Sequence, residues 1–189
     1  MAEPVSALRE TLSPGTYGQG AAGVSMREIP RFSLIQIAAW PGTLETVGRT
    51  VAQHLQAAGA PAPGRSTLAG STLMMRIEPL KYWLLSQGAA PDLPHIDADQ
   101  GAVLDLSHAR CWLRLGGPKA ETLLNHYLPL DLRDAAFAEA VVAASAMHHV
   151  SVTLWRSGAD FNLLLPRSFA ATLGELLSES AQQYGLSVD

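Results

Sequence analysis

A single cysteine, Cys111, and the run Asp105-Leu106-Ser107-His108 hold the residue types from which a nucleophilic centre could be built. A reactive thiol needs an exposed, electropositive setting and a base within reach. Cys111 instead falls in register with Leu113 and Leu115 on the inward side of a short apolar strand, which points to a core residue. Asp105, Ser107 and His108 supply an acid, a hydroxyl and an imidazole. Neighbours on an extended chain face apart, however, and triads assemble from separated segments. The reading favoured is a strand end whose Asp and Ser bond local backbone groups. A small enzyme using Ser107, His108 and Asp105 is the competing one.

The histidines give no ligand pattern. His148 and His149 are adjacent, so on a strand they would point to opposite faces. His54, His95, His108 and His126 have no ligand-like spacing with one another or with carboxylates. Gly116-Gly117-Pro118 lacks the lysine and hydroxyl of a phosphate loop and the three-glycine dinucleotide pattern, and reads as a tight strand-to-helix turn. No Gly-x-Ser-x-Gly elbow is present. Trp83, Trp112 and Trp155 all fall on expected strands. Stacking on a flat ligand is conceivable for them, but packing in a core or an interface is the commoner use of such large apolar groups.

Composition narrows the partners. Only 16% of the 189 residues are charged and 48% are hydrophobic, so part of the exterior is expected to lie against a partner. A net charge of −4 without any Lys/Arg run disfavours nucleic acid, whose phosphates demand clustered positive charge. No apolar run reaches the roughly 18–20 residues that span a bilayer. The N-terminus lacks a basic segment followed by an apolar stretch. With one cysteine and therefore no intrachain disulfide, a cytoplasmic, reducing setting is expected.

The elements that position these residues follow from periodicity. Residues 1–30 are rich in Gly, Ala, Ser and Pro and read as an extended N-terminal arm, ordered against a neighbour. Phe32 to Ile37 is β-rich. Thr43 is placed to cap a helix whose stripe is Leu44, Val47, Val51 and Leu55, and the Pro61 to Gly64 stretch stops it. Thr72 to Ile77 and Tyr82 to Leu85 form a hairpin around Glu78-Pro79-Leu80-Lys81. After a loop from Gly88 to Gln100 come strands at Ala102–Leu106 and Cys111–Leu115. Pro118 opens a helix striped by Ala120, Leu123, Leu124, Tyr127 and Leu128. A shorter helix is expected from Asp134 to about Val142. His149 to Trp155 and Phe161 to Leu165 make a second hairpin around Ser157 to Asp160. Ser168 is a natural cap for a last helix, striped by Leu173, Leu176, Leu177 and Tyr184 and ended by Gly185.

The order strand, helix, hairpin occurs twice, over about 31–87 and 102–185, which reads as a diverged duplication. Strands do not alternate one-for-one with helices, so the class is α+β rather than a doubly wound parallel sheet.

Asp105 to Arg110 followed by Leu113-Arg114-Leu115-Gly116-Gly117-Pro118-Lys119-Ala120 resembles the opening of the aminomethyltransferase (glycine-cleavage T-protein) family. The wider set resembles sarcosine oxidase gamma subunits in order and spacing. It comprises Glu78 to Leu85, Asp-Leu-Ser-His, Leu128 to Leu132, His149 to Arg156 and Leu165 to Phe169. The likeness runs from about Arg31 to Tyr184. Beyond the arm over 1–30, it implies a single aminomethyltransferase-like domain over 31–189, in a complex with alpha, beta and delta subunits. It also implies that FAD, FMN, NAD, tetrahydrofolate and zinc reside in those other subunits. The implied reaction of the complex oxidises sarcosine to glycine, forms hydrogen peroxide and passes a one-carbon unit to tetrahydrofolate. Two departures matter. Where the aminomethyltransferases carry a glycine-rich, double-aspartate hairpin with their catalytic acid, this chain has Asp131-Leu132-Arg133-Asp134 leading into Ala135. The Lys-Gly-Cys motif of the tRNA-modifying relatives is absent. The expectation is an accessory subunit with no catalytic, cofactor-binding or metal-ligating residue of its own. A stand-alone folate-binding or one-carbon-transfer protein of the same fold is the alternative.

Overall fold

A computed structural model describes residues 5–189; the first four residues of the expected arm lie outside the described residues. In chain order the elements are β1 (Gly15–Tyr17), β2 (Val24–Ile29), β3 (Phe32–Ala39), α1 (Leu44–His54), β4 (Arg65–Ala69), β5 (Thr72–Glu78), β6 (Lys81–Gln87), β7 (Gly101–Asp105), β8 (Arg110–Gly116), α2 (Ala120–Asn125), β9 (Val142–Met147), β10 (Val150–Ser157), β11 (Asp160–Pro166), α3 (Ala170–Ala181) and β12 (Leu186–Val188). Contacts divide the chain into two compact units. One comprises Arg31–His108 and Ala140–Ala143. The other comprises the described residues up to Pro30, Ala109–Glu139 and Ala144–Asp189. Among the described residues no helix is long and apolar enough to cross a membrane.

The first unit is built on a five-stranded antiparallel sheet in the order β4-β5-β6-β3-β7. Alternation decides its core face. Ile35, Ile37 and Ala39 of β3 share a side with Met74 of β5 and with Tyr82 and Leu84 of β6, and α1 lays Val47, Val51 and Ala52 onto them. Val47 and Val51 are one helical turn apart, the spacing from which the stripe is read. Thr43 does not cap α1 with its side chain. Its hydroxyl is drawn to the Gln100 carbonyl instead, which ties the helix start to the entry of β7.

The second unit has a seven-stranded sheet in the order β1-β12-β2-β8-β11-β10-β9. Part of it repeats the plan of the first. The order β9-β10-β11-β8-β2 matches β4-β5-β6-β3-β7, with the strand before each helix next to the last strand of its meander. The fifth place differs: β7 follows that meander in the chain, whereas β2 precedes it. Leu123 and Leu124 of α2 and Leu173 and Leu177 of α3 are buried in this unit.

Three expectations are corrected, and one strand, Arg65–Ala69, is additional to them. The segment before Pro30 is not a bare arm. Val24–Ile29 is a strand in the middle of the seven-stranded sheet, antiparallel to β8 and parallel to β12, with Val24, Met26 and Ile29 buried. Its period is broken by Arg27-Glu28, and only pairing on both edges makes a strand of it. Arg65–Ala69 pairs with β5 although its sole large apolar residue, Leu68, is exposed. His148 and His149 belong to the β9–β10 turn with φ of 46° and 69°, not to the strand. No helix forms from Asp134 to Val142, despite its alanines.

The reason for the last lies in Arg156. Its side chain donates to the carbonyls of Leu132 and Phe137, pairs with Asp134 at 2.8 Å and lies over the Phe161 ring at 4.4 Å. Those carbonyls then face a guanidinium, and Ala140 turns away with φ of 66°, so helical bonding stops. Arg156→Ala should lower stability by about 2–4 kcal/mol in urea unfolding, because it strands two carbonyls. Asp134→Asn should stay within about 0.5 kcal/mol, since that carboxylate is largely in water.

Candidate functional site

Cys111 is 3% exposed on β8. Burial is the main force pushing its thiol above the ordinary value, with Glu28 adding to it, so the thiolate is disfavoured. At the end of β7, Asp105 Oδ1 accepts the Ser107 N–H at 2.8 Å, and Ser107 Oγ accepts the Leu34 N–H at 3.0 Å. Hydrogen bonds from the Ser107 hydroxyl, and then from its N–H, hold the Asp105 carboxyl below the usual range. Ser107 thus closes the strand end, and no hydrogen bond joins His108 to it among the described residues. A base that does not touch the hydroxyl cannot activate it in this arrangement.

The other histidines are scattered. His54 meets Asp92 at 3.2 Å, His95 meets Asp97 at 3.1 Å, and His126 meets the Tyr184 hydroxyl at 3.3 Å. Among the described residues no three His, Cys, Asp or Glu side chains gather as a metal site would need. Gly117 has φ of 93°, and a side chain there would come within 2.6 Å of the Gly23 carbonyl. Glycine is required at that strand-to-helix turn by its own crossing of the chain.

Asp131 and Arg133, singled out by the resemblance as standing in place of a catalytic hairpin, form a local pair. The Arg133 guanidinium, lying on Asp131 Oδ1 at 2.8 Å, holds that carboxyl at about 2. An acid fixed so low stays ionised near neutrality, and its anion is a weak base. It is spent on its own turn.

The tryptophans are held by amides. Trp83 Nε1 donates to Gln36 Oε1 at 3.0 Å in the first unit. In the second, Trp112 Nε1 donates to Asn162 Oδ1 at 2.9 Å, and Arg114 Nε reaches the same oxygen at 3.2 Å. Trp155 lies 5.6 Å from Trp112, tilted by 49°. Asn162 is fully buried, yet sequence reasoning passed over it; the signal was one amide within Phe161-Asn162-Leu163-Leu164-Leu165. An amide that fixes an indole nitrogen is a packing device, since neither group is reactive.

What stands out at the surface is apolar. Val103 and Leu104 of β7 are 45% and 44% exposed, and Trp40, at the end of the neighbouring β3, is 43% exposed. β7 is the last strand of its sheet, and its outer edge pairs with no strand among the described residues. The Trp40 N–H donates to the Gln100 carbonyl and its indole to the Ala98 carbonyl, which pins the ring beside the start of β7. Edge strands in isolated proteins are usually blunted by lysine, proline or a bulge, and Gly-Ala-Val-Leu-Asp has none of these. This edge is the best candidate for an interaction surface. For Asp131, an NMR pH titration should place the carboxyl near 2, and Arg133→Ala should return it toward the ordinary aspartate value of about 3.9. The depressed value means that whatever stability the pair contributes is present above the unfolded-state pKa and is lost as the pH falls toward 2.

No family model matches the chain. Among curated proteins, it is 28% identical over 172 residues to the sarcosine oxidase gamma subunit of Corynebacterium sp. (strain P-1), covering 87% of this chain and 81% of that one. It is also 28% identical over 173 residues to the sarcosine oxidase gamma subunit of an Arthrobacter species, covering 88% and 82%. Among solved structures, a chain of the heterotetrameric sarcosine oxidase from Corynebacterium sp. U-96 superposes with a TM-score of 0.75 at 23% identity, over 89% of this chain and 88% of that chain. The glycine cleavage system aminomethyltransferase T from Bartonella henselae superposes with a TM-score of 0.59 at 16% identity, over 88% of this chain and 48% of that chain. Those two likenesses establish the α+β fold.

Proposed function

We propose that this chain, a homologue of sarcosine oxidase gamma subunits, is a non-catalytic subunit of a heterotetrameric sarcosine oxidase. The observation that carries the reading is sequence likeness spread over 87% of the chain and 81% of the relative, rather than confined to one motif. The site chemistry supports it. The only thiol is buried, the Ser107 hydroxyl closes a strand end, and the Asp131 carboxylate is locked to Arg133.

In this reading the chain meets alpha, beta and delta subunits. FAD, FMN, NAD, tetrahydrofolate and zinc belong to those chains. The complex oxidises sarcosine to glycine, yields hydrogen peroxide and hands the one-carbon unit to tetrahydrofolate, in the cytoplasm. The contribution of this chain is burial of apolar surface, which stabilises an assembly by mass action. The β7 edge, with Trp40, Val103 and Leu104, supplies such surface.

The test is co-expression of the full chain with the flavoprotein subunits of a heterotetrameric sarcosine oxidase, followed by affinity capture. Co-elution with flavin-coloured chains is the expected result. Leu104→Glu should weaken association by about tenfold or more, since a desolvated carboxylate at an apolar contact costs at least the ~1.4 kcal/mol that corresponds to that factor. Leu68→Glu, on the opposite edge strand β4, should leave it unchanged. A stable monomer with no affinity for those chains would remove the proposal. The alternative, a stand-alone folate binder, requires heat on titration of the isolated chain with tetrahydrofolate.

A further inference from the structure

The first unit holds a cavity of about 470 Å³ between α1, the Ala57–Pro63 loop and the α1 side of β5 and β6. That volume is in the range of small-molecule sites. Its walls are unlike one another. Ala52, Ala57 and the prolines of the loop make an apolar side; Arg49, Arg76 and Tyr82 make a side of donors, with Glu45 as the carboxylate.

Three features shape the donor side, and none is explained by packing alone. Tyr82 is 2% exposed, lines the cavity, and its hydroxyl makes no hydrogen bond to protein among the described residues. A hydroxyl facing a cavity without a protein partner is free to donate to a bound group. The phenol end fits only because α1 carries glycine at position 48: a methyl group there would lie 2.5 Å from the hydroxyl oxygen. Glycine inside a helix costs about 1 kcal/mol relative to alanine. The third feature is a β-bulge. Register passes from Met75↔Trp83 to Glu78↔Lys81, so Arg76 and Ile77 together oppose Tyr82. Bulges re-aim side chains, and this one brings the Arg76 guanidinium over the Tyr82 ring at 5.8 Å. Arg76 Nη2 is anchored on the Pro79 carbonyl at 2.9 Å, and its Nε is buried with no partner.

From this geometry we infer that the cavity binds a small organic carboxylate, its anionic end toward Arg49, Arg76 and the Tyr82 hydroxyl and its apolar body on the Ala57–Pro63 loop. Two guanidiniums against one carboxylate leave the pocket net positive and rich in donors, which selects an anion. Burial, chiefly, raises the Tyr82 pKa, so the phenol remains a donor at neutral pH. Glu45 opposes a dianion more than a monoanion, and so favours a carboxylate over a phosphate. The site rests on the cavity alone and does not depend on the assembly reading.

The test uses the full chain and three probes of one shape: benzoate, benzamide and phenyl phosphate, each titrated while backbone amide NMR shifts are followed. Benzoate should saturate shifts in α1 and β6 with a Kd near the millimolar range, as suits a ligand of this size. Benzamide and phenyl phosphate should bind at least fivefold more weakly. Tyr82→Phe, which keeps the ring that fills the core, and Arg49→Gln, at an exposed position, should each weaken benzoate about fivefold or more. Arg9→Gln, in the other unit, should leave it unchanged. Absence of saturable shifts, equal binding of benzamide, tighter binding of phenyl phosphate, or indifference to both pocket substitutions would each overturn the assignment.

Discussion

Strand β8 buries Cys111, Trp112, Leu113 and Leu115, so both of its faces are shielded from water. A strand of that kind cannot sit at a sheet edge, where one row of backbone groups would be left to solvent. It needs a partner on each side, and β11 and β2 provide them. The demand explains why the weakly patterned segment Val24–Ile29 is drawn into the sheet, and why β12 then finds a place against β2. In the other unit β3 makes the same demand, and β6 and β7 answer it.

Polar groups admitted to these sheets are few, and not all are paired: the Ser33 hydroxyl, Arg76 Nε and Asn162 Nδ2 are buried without a hydrogen-bond partner among the described residues. Each unit fixes a tryptophan indole with a side-chain amide, Trp83 with Gln36 and Trp112 with Asn162. The pairing satisfies the indole N–H, which would otherwise be costly inside a sheet. The strands carrying the two partners are exchanged: the amide is on β3 in one unit and the indole on the corresponding β8 in the other. The sheet order common to the two units, together with this exchange, is what a duplication followed by divergence would leave, and we read it that way.

The same economy describes the functional side. Groups that look reactive in the linear chain are consumed by local structure: Ser107 ends a strand, Asp131 closes a turn with Arg133, and Cys111 fills a core. What remains unspent is an apolar edge on β7 and a donor-rich cavity beneath α1. A protein whose polar chemistry is used up internally while apolar surface stays uncovered is suited to work as part of an assembly, consistent with its homology to sarcosine oxidase gamma subunits.

Periodicity in the chain carried the α+β class, both hairpins, the stripes of α1 and α3 and the burial of Cys111, because alternation and the 3.6-residue repeat record which side of an element faces a core. The order of short motifs carried the resemblance to the gamma subunits. Folding decided the rest. Whether Val24–Ile29 pairs, whether Ala135 to Val142 coils into a helix, and how a bulge turns Arg76 onto Tyr82 depend on partners tens of residues away. Such choices are made by register and by which carbonyl a distant arginine reaches, and a local pattern contains neither.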